Sequence, residues 1–220
     1  MAPDTRRRVA ILVSGRGSNM DALLKAAADP AFPARVVLVL SNRPNAPALD
    51  KARAAGVPTE VLDHTTFDSR EAFDQALDER LRAAQVELVC LAGFLRLLTE
   101  RFVDSWENRL INIHPSLLPA FKGLHTHERA LETGVRVHGC TVHFLRPAMD
   151  EGPIIAQAAV AVLPDDTAES LGARVLEAEH QLFPLALRLV AEGRARVRGE
   201  RVDLTDTPTR TDTFLNPPVG

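Results

Sequence analysis

Val9-Ala10-Ile11-Leu12-Val13-Ser14-Gly15-Arg16-Gly17-Ser18-Asn19-Met20 sets the fold class. Five apolar residues in unbroken succession run into a turn spaced by glycines, and a helical pattern over Ser18–Ala28 follows. A strand with one wet face alternates apolar with polar residues, whereas a continuous apolar run marks a strand buried on both faces. Val36–Leu40 and Val86–Ala92 repeat the continuous pattern, Leu110–Ile113 is a shorter run, and Thr59–Leu62 reads as an outer strand. Helical patterns over Ala46–Ala55 and Ser69–Ala83 fall between them. This alternation predicts an α/β protein with a mostly parallel sheet and helices on both faces.

Beyond about residue 138 the rhythm changes. Cys140–Leu145 and Ile154–Val162 read as strands joined by the short polar turn Arg146–Pro153, which suits an antiparallel pair. A long C-terminal helix follows, with Leu171, Val175, Ala178, Leu182, Leu185 and Leu189 recurring at steps of three and four. Asp166 and Glu169 have the spacing of a capping box at its start, Pro184 should kink it, and Gly193 should end it. Arg196–Arg198 and Arg201–Asp203 flank Gly199-Glu200 as a hairpin would. Repeats and linkers are lacking, so residues 1–204 read as one domain and residues 205–220, rich in threonine and proline, as a mobile tail.

Composition narrows the function. Of the 220 residues, 45% are hydrophobic and 25% charged, as in an ordinary globular protein. Lys plus Arg total 26 against 29 Asp plus Glu, a formal net charge of −3, so the electrostatic footprint of a dedicated nucleic-acid binder is missing. Apolar runs stay far short of the roughly 18 residues of a membrane span. The stretch after Arg6, Arg7 and Arg8 is too short for a secretory signal core, and the expectation is a cytoplasmic chain. Cys90 and Cys140 sit among apolar residues and read as buried free thiols of a reducing compartment.

Three places could carry chemistry. In Gly15–Asn19 the glycines allow a tight turn, and the free amides of a helix start, with the Ser18 and Asn19 side chains, would attract an anion. A dinucleotide fingerprint wants a third glycine where Met20 stands and an acidic residue where Ser41-Asn42 stands, and a Walker loop wants a lysine. A phosphate monoester therefore fits better than NAD or ATP; the alternative is a plain turn and N-cap. In Leu110–Ser116, Asn112 and His114 project from one face of an apolar strand, and Pro115 ends that strand at the carboxyl edge of the sheet. Open α/β folds keep their ligand crevice there. Two polar side chains on such a face are costly unless satisfied or used, and a satisfied core histidine is the alternative. Asp150, in the turn Met149–Pro153, could supply a carboxylate to that histidine or be an ordinary turn aspartate. His114, His125, His127, His138 and His143 are crowded, but the chain has no HExxH, CxxC or regular ligand spacing, and no metal is expected. His125-Thr126-His127 reads as loop.

With these residues in view, the chain resembles the phosphoribosylglycinamide formyltransferase family. The resemblance rests on Gly15–Asn19, Leu91–Arg96, Asn112–Pro119, Gly123–His127 and Asp150–Pro153, in that order, and runs from about residue 8 to about residue 193. It implies a Rossmann-like fold and transfer of a formyl group from 10-formyltetrahydrofolate, as cosubstrate, to the amino group of glycinamide ribonucleotide in purine biosynthesis. Carried over by matching positions, Asn112, His114 and Asp150 form the catalytic set, and Gly17, Ser18, Asn19 and Glu179 hold the ribonucleotide. Arg70, Leu95, Arg96, Leu97, Leu98 and Asn112 line the folate side. The resemblance also implies small-molecule partners alone, without metal, nucleic acid or membrane, in a monomer or homodimer. The chemistry is consistent: formyl transfer creates a tetrahedral carbon with a negative oxygen, which the Asn112 amide and a protonated His114 could both donate to. A carboxylate beside His114 would favour the imidazolium by opposite charge. Two relatives of that chemistry fit less well. A hydrolase with an N-terminal regulatory domain would need chain before Val9, and a transfer-RNA formyltransferase would need a basic domain after Gly193. A non-catalytic nucleotide-binding module would leave Asn112 and His114 without a use.

Overall fold

The computed structural model describes residues 4–207, Phe214 and Asn216. Seven strands make one sheet in the order β3-β2-β1-β4-β5-β6-β7. They are β1 (Arg7–Val13), β2 (Ala34–Ser41), β3 (Thr59–Val61), β4 (Leu88–Leu91), β5 (Leu110–His114), β6 (Val137–Phe144) and β7 (Ile154–Ala161). The first five pair in parallel, while β6 runs antiparallel to both β5 and β7. The expected mostly parallel sheet, antiparallel pair and long C-terminal helix are all present. Helices α1 (Ser18–Ala27), α2 (Pro47–Ala54), α3 (Arg70–Ala83), α4 (Glu100–Ser105), α5 (Thr126–Thr133) and α6 (Ala168–Ala191) connect or follow the strands.

β1 explains why its sequence is apolar throughout. Val9, Ile11 and Val13 enter one core with Met20 and Leu23 of α1 and Val175 and Phe183 of α6. Ala10 and Leu12 enter the other core, with Phe73 and Leu77 of α3 and Trp106 just past α4. A side chain of this size contributes about 1.5–3 kcal/mol when fully buried, so neither face tolerates a polar substitution. Because β2 and β4 flank β1 on opposite sides, the chain order reverses between β1 and β4, and a crevice opens at their carboxyl ends.

Several expectations need correction. The cap of α6 is not built by Asp166 and Glu169. Thr167 accepts from the Ser170 N–H at 3.2 Å, and the Ser170 hydroxyl accepts from the Thr167 N–H at 2.9 Å. Asp166 instead takes both terminal nitrogens of Arg174 at 2.9 Å. Pro184 lies within α6, and, as expected, Gly193 follows the helix in the left-handed region with φ 70°. His125-Thr126-His127 is not all loop: His125 stands just before α5, and Thr126 and His127 open the helix. The hairpin is present as β8 (Ala195–Arg198) and β9 (Arg201–Leu204). Cys90 and Cys140 are buried free thiols. Of the expected tail, residues 208–213, 215 and 217–220 lie outside the described residues.

Candidate active site

The crevice is walled by the carboxyl ends of β1, β4 and β5. After β1, Gly17 takes φ 72°, and a Cβ there would stand 2.6 Å from the Ala48 Cβ, so both conformation and space demand glycine. Gly17 occupies the N-cap position of α1 without a side-chain cap bond, which leaves the first amides of the helix open to an anion. Asn19 Nδ2 donates to Glu179 Oε2 at 2.7 Å, tying this loop to α6, while Asn19 Oδ1 is buried without a partner among the described residues. Burial pushes the Glu179 carboxyl above its ordinary range, partly offset by the Asn19 bond. Gly17, Ser18, Asn19 and Glu179 thus come together as one corner of the crevice.

The second wall follows β4. Ser14 closes the crevice floor: its N–H donates to the Gly93 carbonyl at 3.1 Å, its hydroxyl donates to Asn42 Oδ1 at 2.6 Å, and the Leu95 N–H donates to that hydroxyl at 2.8 Å. Leu95 and Leu97 are 64% and 55% exposed and Leu98 is half-buried, an apolar strip that follows β4. Asp74 of α3 holds the far end of this segment, accepting from the Thr99 N–H at 2.6 Å. Burial raises its pKa, an effect opposed by the Thr99 bond and by Arg96 and Arg70 nearby. The Arg96 guanidinium lies 4.3 Å above the Phe73 ring, and Arg70, at the start of α3, is exposed.

Asn112 and His114 project between these walls. Their neighbours Ile111 and Ile113 point into the α1/α6 core, so alternation sends the pair to the opposite face. His114 Nε2 meets the Phe121 carbonyl at 3.0 Å, and Nδ1 lies 3.4 Å from Asp150 Oδ1, an ion-pair distance. Both ring nitrogens therefore face acceptors. Asp150 is aimed by its turn: φ is 51°, and Oδ2 accepts from the Gly123 N–H at 2.7 Å. Two residues on, Gly152 has φ 118°, and a Cβ would lie 2.2 Å from the Phe144 carbonyl oxygen. A side chain at 152 would force the Asp150 turn away from β6.

The remaining histidines divide. His127 Nδ1 and His138 Nε2 are 3.2 Å apart, and burial pushes the His138 imidazole down to about 4. His125 is on the surface near Glu128. Among the described residues, no three His, Cys, Asp or Glu side chains gather as a metal site. A cleft of about 690 Å³ between α1 and α6 borders Ser18, but neither Asn112 nor His114 lines it. Two structurally important polar residues, Ser14 and Asp74, escaped the sequence reading, and His143 stood out there only as one of the crowded histidines. Asp74 carried a signal, since it shares a helical stripe with Leu77 and Leu81.

A doubly wound α/β sheet with polar side chains at the carboxyl ends of β1 and β5, either side of β4, is the plan of an enzyme that handles small molecules at a sheet edge. The sequence profile of the formyl transferase family matches residues 7–187. The phosphoribosylglycinamide formyltransferase of Escherichia coli (strain K12) is 42% identical over 189 residues, covering 86% of this chain and 89% of that protein. The solved glycinamide ribonucleotide transformylase 1 of Symbiobacterium toebii superimposes with a TM-score of 0.89 at 50% identity, over 92% of this chain and 95% of that one. The trifunctional purine biosynthetic protein adenosine-3 of Gallus gallus is 52% identical over 86% of this chain, which spans only 19% of that longer protein. This chain belongs to the formyl transferase family and, within it, to the phosphoribosylglycinamide formyltransferases.

Proposed function

We propose that this chain transfers the formyl group of 10-formyltetrahydrofolate to the amino group of glycinamide ribonucleotide, a step of purine biosynthesis. The observation that carries the reading is the position of His114. It stands against Asp150 and beside Asn112, between an uncapped helix start and an exposed leucine wall. Gly17, Ser18 and Asn19 receive the phosphate and Glu179 the ribose side. Leu95, Leu97 and Leu98 cover the flat pterin, with Arg70 and Arg96 on the polar parts of the folate.

The amine attacks the formyl carbon and the carbonyl electrons move onto oxygen. Asn112 donates to that oxygen, and so does a protonated His114 once its Nε2–H leaves the Phe121 carbonyl, while Asp150 keeps Nδ1 and stabilises the imidazolium by opposite charge. The amine proton reaches the folate nitrogen through these groups or a held water as the carbon–nitrogen bond to folate breaks. The products are the formylated ribonucleotide and tetrahydrofolate. No covalent enzyme intermediate or metal is needed. We further infer a cytoplasmic monomer or homodimer with small-molecule partners only, in one domain over residues 1–204. The buried free thiols support the compartment, and no helix among the described residues is long and apolar enough to cross a membrane.

The phosphate assignment is tested by Ser18→Asp. A carboxylate at the helix start repels the ribonucleotide, so its KM should rise at least about tenfold while the folate KM stays within about twofold. An unchanged ribonucleotide KM would contradict the assignment.

A further inference from the structure

We propose that His143 is a positioning residue: it holds the Asn112 amide with its nitrogen toward the imidazole, so that Asn112 meets the reaction as a hydrogen-bond donor. The catalytic consequence rests on the formyl-transfer reading above; the geometry does not.

Asn112 and His143 are directly opposed across the antiparallel β5–β6 pair. His143 is buried, with 1% of its surface exposed. Its Nδ1 faces two backbone carbonyls, Phe144 at 3.0 Å and Glu151 at 3.2 Å. A carbonyl only accepts, so Nδ1 must carry the proton. Burial lowers the pKa of this ring, with His114 acting in the same direction and Asp150 and the two carbonyls opposing; the neutral form follows. Neutral and protonated at Nδ1, the ring presents a bare lone pair at Nε2. That lone pair lies 3.3 Å from Asn112 Nδ2 and accepts one of its two N–H groups.

An asparagine amide can otherwise turn over at little cost, because its two ends have the same shape. Turned over here, Oδ1 would face the Nε2 lone pair of the buried ring, acceptor against acceptor, in a partly buried pair. The ring thus removes one of two orientations. What remains leaves the second N–H of Asn112 for the developing oxyanion, already oriented before the reaction begins, which is the condition under which such a donor accelerates it. The chain Glu151 and Phe144 carbonyls, His143, Asn112 also links this donor to the turn that carries Asp150, so the two sides of the reacting centre share one support.

Two measurements test this. Long-range ¹H–¹⁵N correlation on the intact wild-type protein, with the His143 signals assigned by their loss in His143→Gln, should show a proton on Nδ1 and none on Nε2. A proton on Nε2, or on both nitrogens, overturns the proposal without reference to activity. In turnover, His143→Leu should lower kcat by about tenfold to a hundredfold, less than the loss of the donor itself, with both KM values within about twofold. His143→Gln, whose carbonyl can replace Nε2 as acceptor, should recover most of that loss. In an Asn112→Ala background, His143→Leu should cost almost nothing more. Equal losses in the Leu and Gln variants, or losses that add fully to Asn112→Ala, would overturn the role. Should the wild-type protein transfer no formyl group, the functional reading fails, while the tautomer measurement still decides the orientation.

Discussion

His114 is held by contacts of unequal kind: a hydrogen-bonding distance to the Phe121 carbonyl and an ion-pair distance to Asp150. Its two ring nitrogens therefore have separate acceptors, and removing the carboxylate charge should take away the partner that favours the charged ring. Asp150→Asn should lower kcat by about a hundred- to a thousandfold, as loss of a charged oxyanion donor does. His114→Ala should cost a similar factor, and the double variant little more than either, since residues acting as a unit are not additive. A double-mutant cycle on kcat checks this, and fully additive losses would separate the two residues. The pair Asn112 and His114 was legible in the sequence because a polar pair on one face of an apolar strand needs an explanation. The approach of Asp150 to His114 was not, because 36 residues of chain separate them and only the fold closes that distance. His143 was hidden for a related reason: its meaning lies in the register of β6 against β5, which no local pattern encodes.

Elements with strong periodicity were read within a residue or two. Helix α3 was expected over Ser69–Ala83 and spans Arg70–Ala83 with Ser69 as its cap. Two short helices were not found: α4 has Phe102 and Val103 and α5 has Ala130 and Leu131 as their only apolar residues, too few for a hydrophobic stripe to stand out. At α6 the cap expected from Asp166 and Glu169 is built instead by Thr167 and Ser170, and Asp166 is engaged by Arg174. That engagement makes a pH prediction. Hydrogen bonds from Arg174, then from Leu163 N–H and the Ser170 hydroxyl, hold the Asp166 carboxyl far below the usual carboxylate range. The unfolded chain, with an ordinary value near 3.9, then binds the proton more readily than the folded one, so stability rises with pH through this window. The contribution is complete above about pH 4–5 and is lost as pH falls toward the folded value. Asp166→Asn should therefore cost about 1–3 kcal/mol at pH 7, and the gap from wild type should narrow at pH 3. Urea unfolding at the two pH values measures both; a gap that is constant or wider at pH 3 would contradict the assignment.

At the scale of the molecule, the class of fold followed from the unbroken apolar runs of β1, β2 and β4, because a strand buried on both faces needs helices on both sides. The strand order did not follow, and it is the order that makes the site. With β2 and β4 on either side of β1, the loop at Gly17, the wall at Leu95 and the pair on β5 reach the same edge from three separate parts of the chain. Formyl transfer between two small molecules is the activity proposed for this edge. It is tested most directly by incubating the purified protein with 10-formyltetrahydrofolate, with and without glycinamide ribonucleotide, and following both products by mass spectrometry. The account predicts tetrahydrofolate and formylated ribonucleotide in equal amounts, and only when the ribonucleotide is present. Formate released at the same rate without the acceptor, or no consumption of the formyl donor with it, would contradict the account.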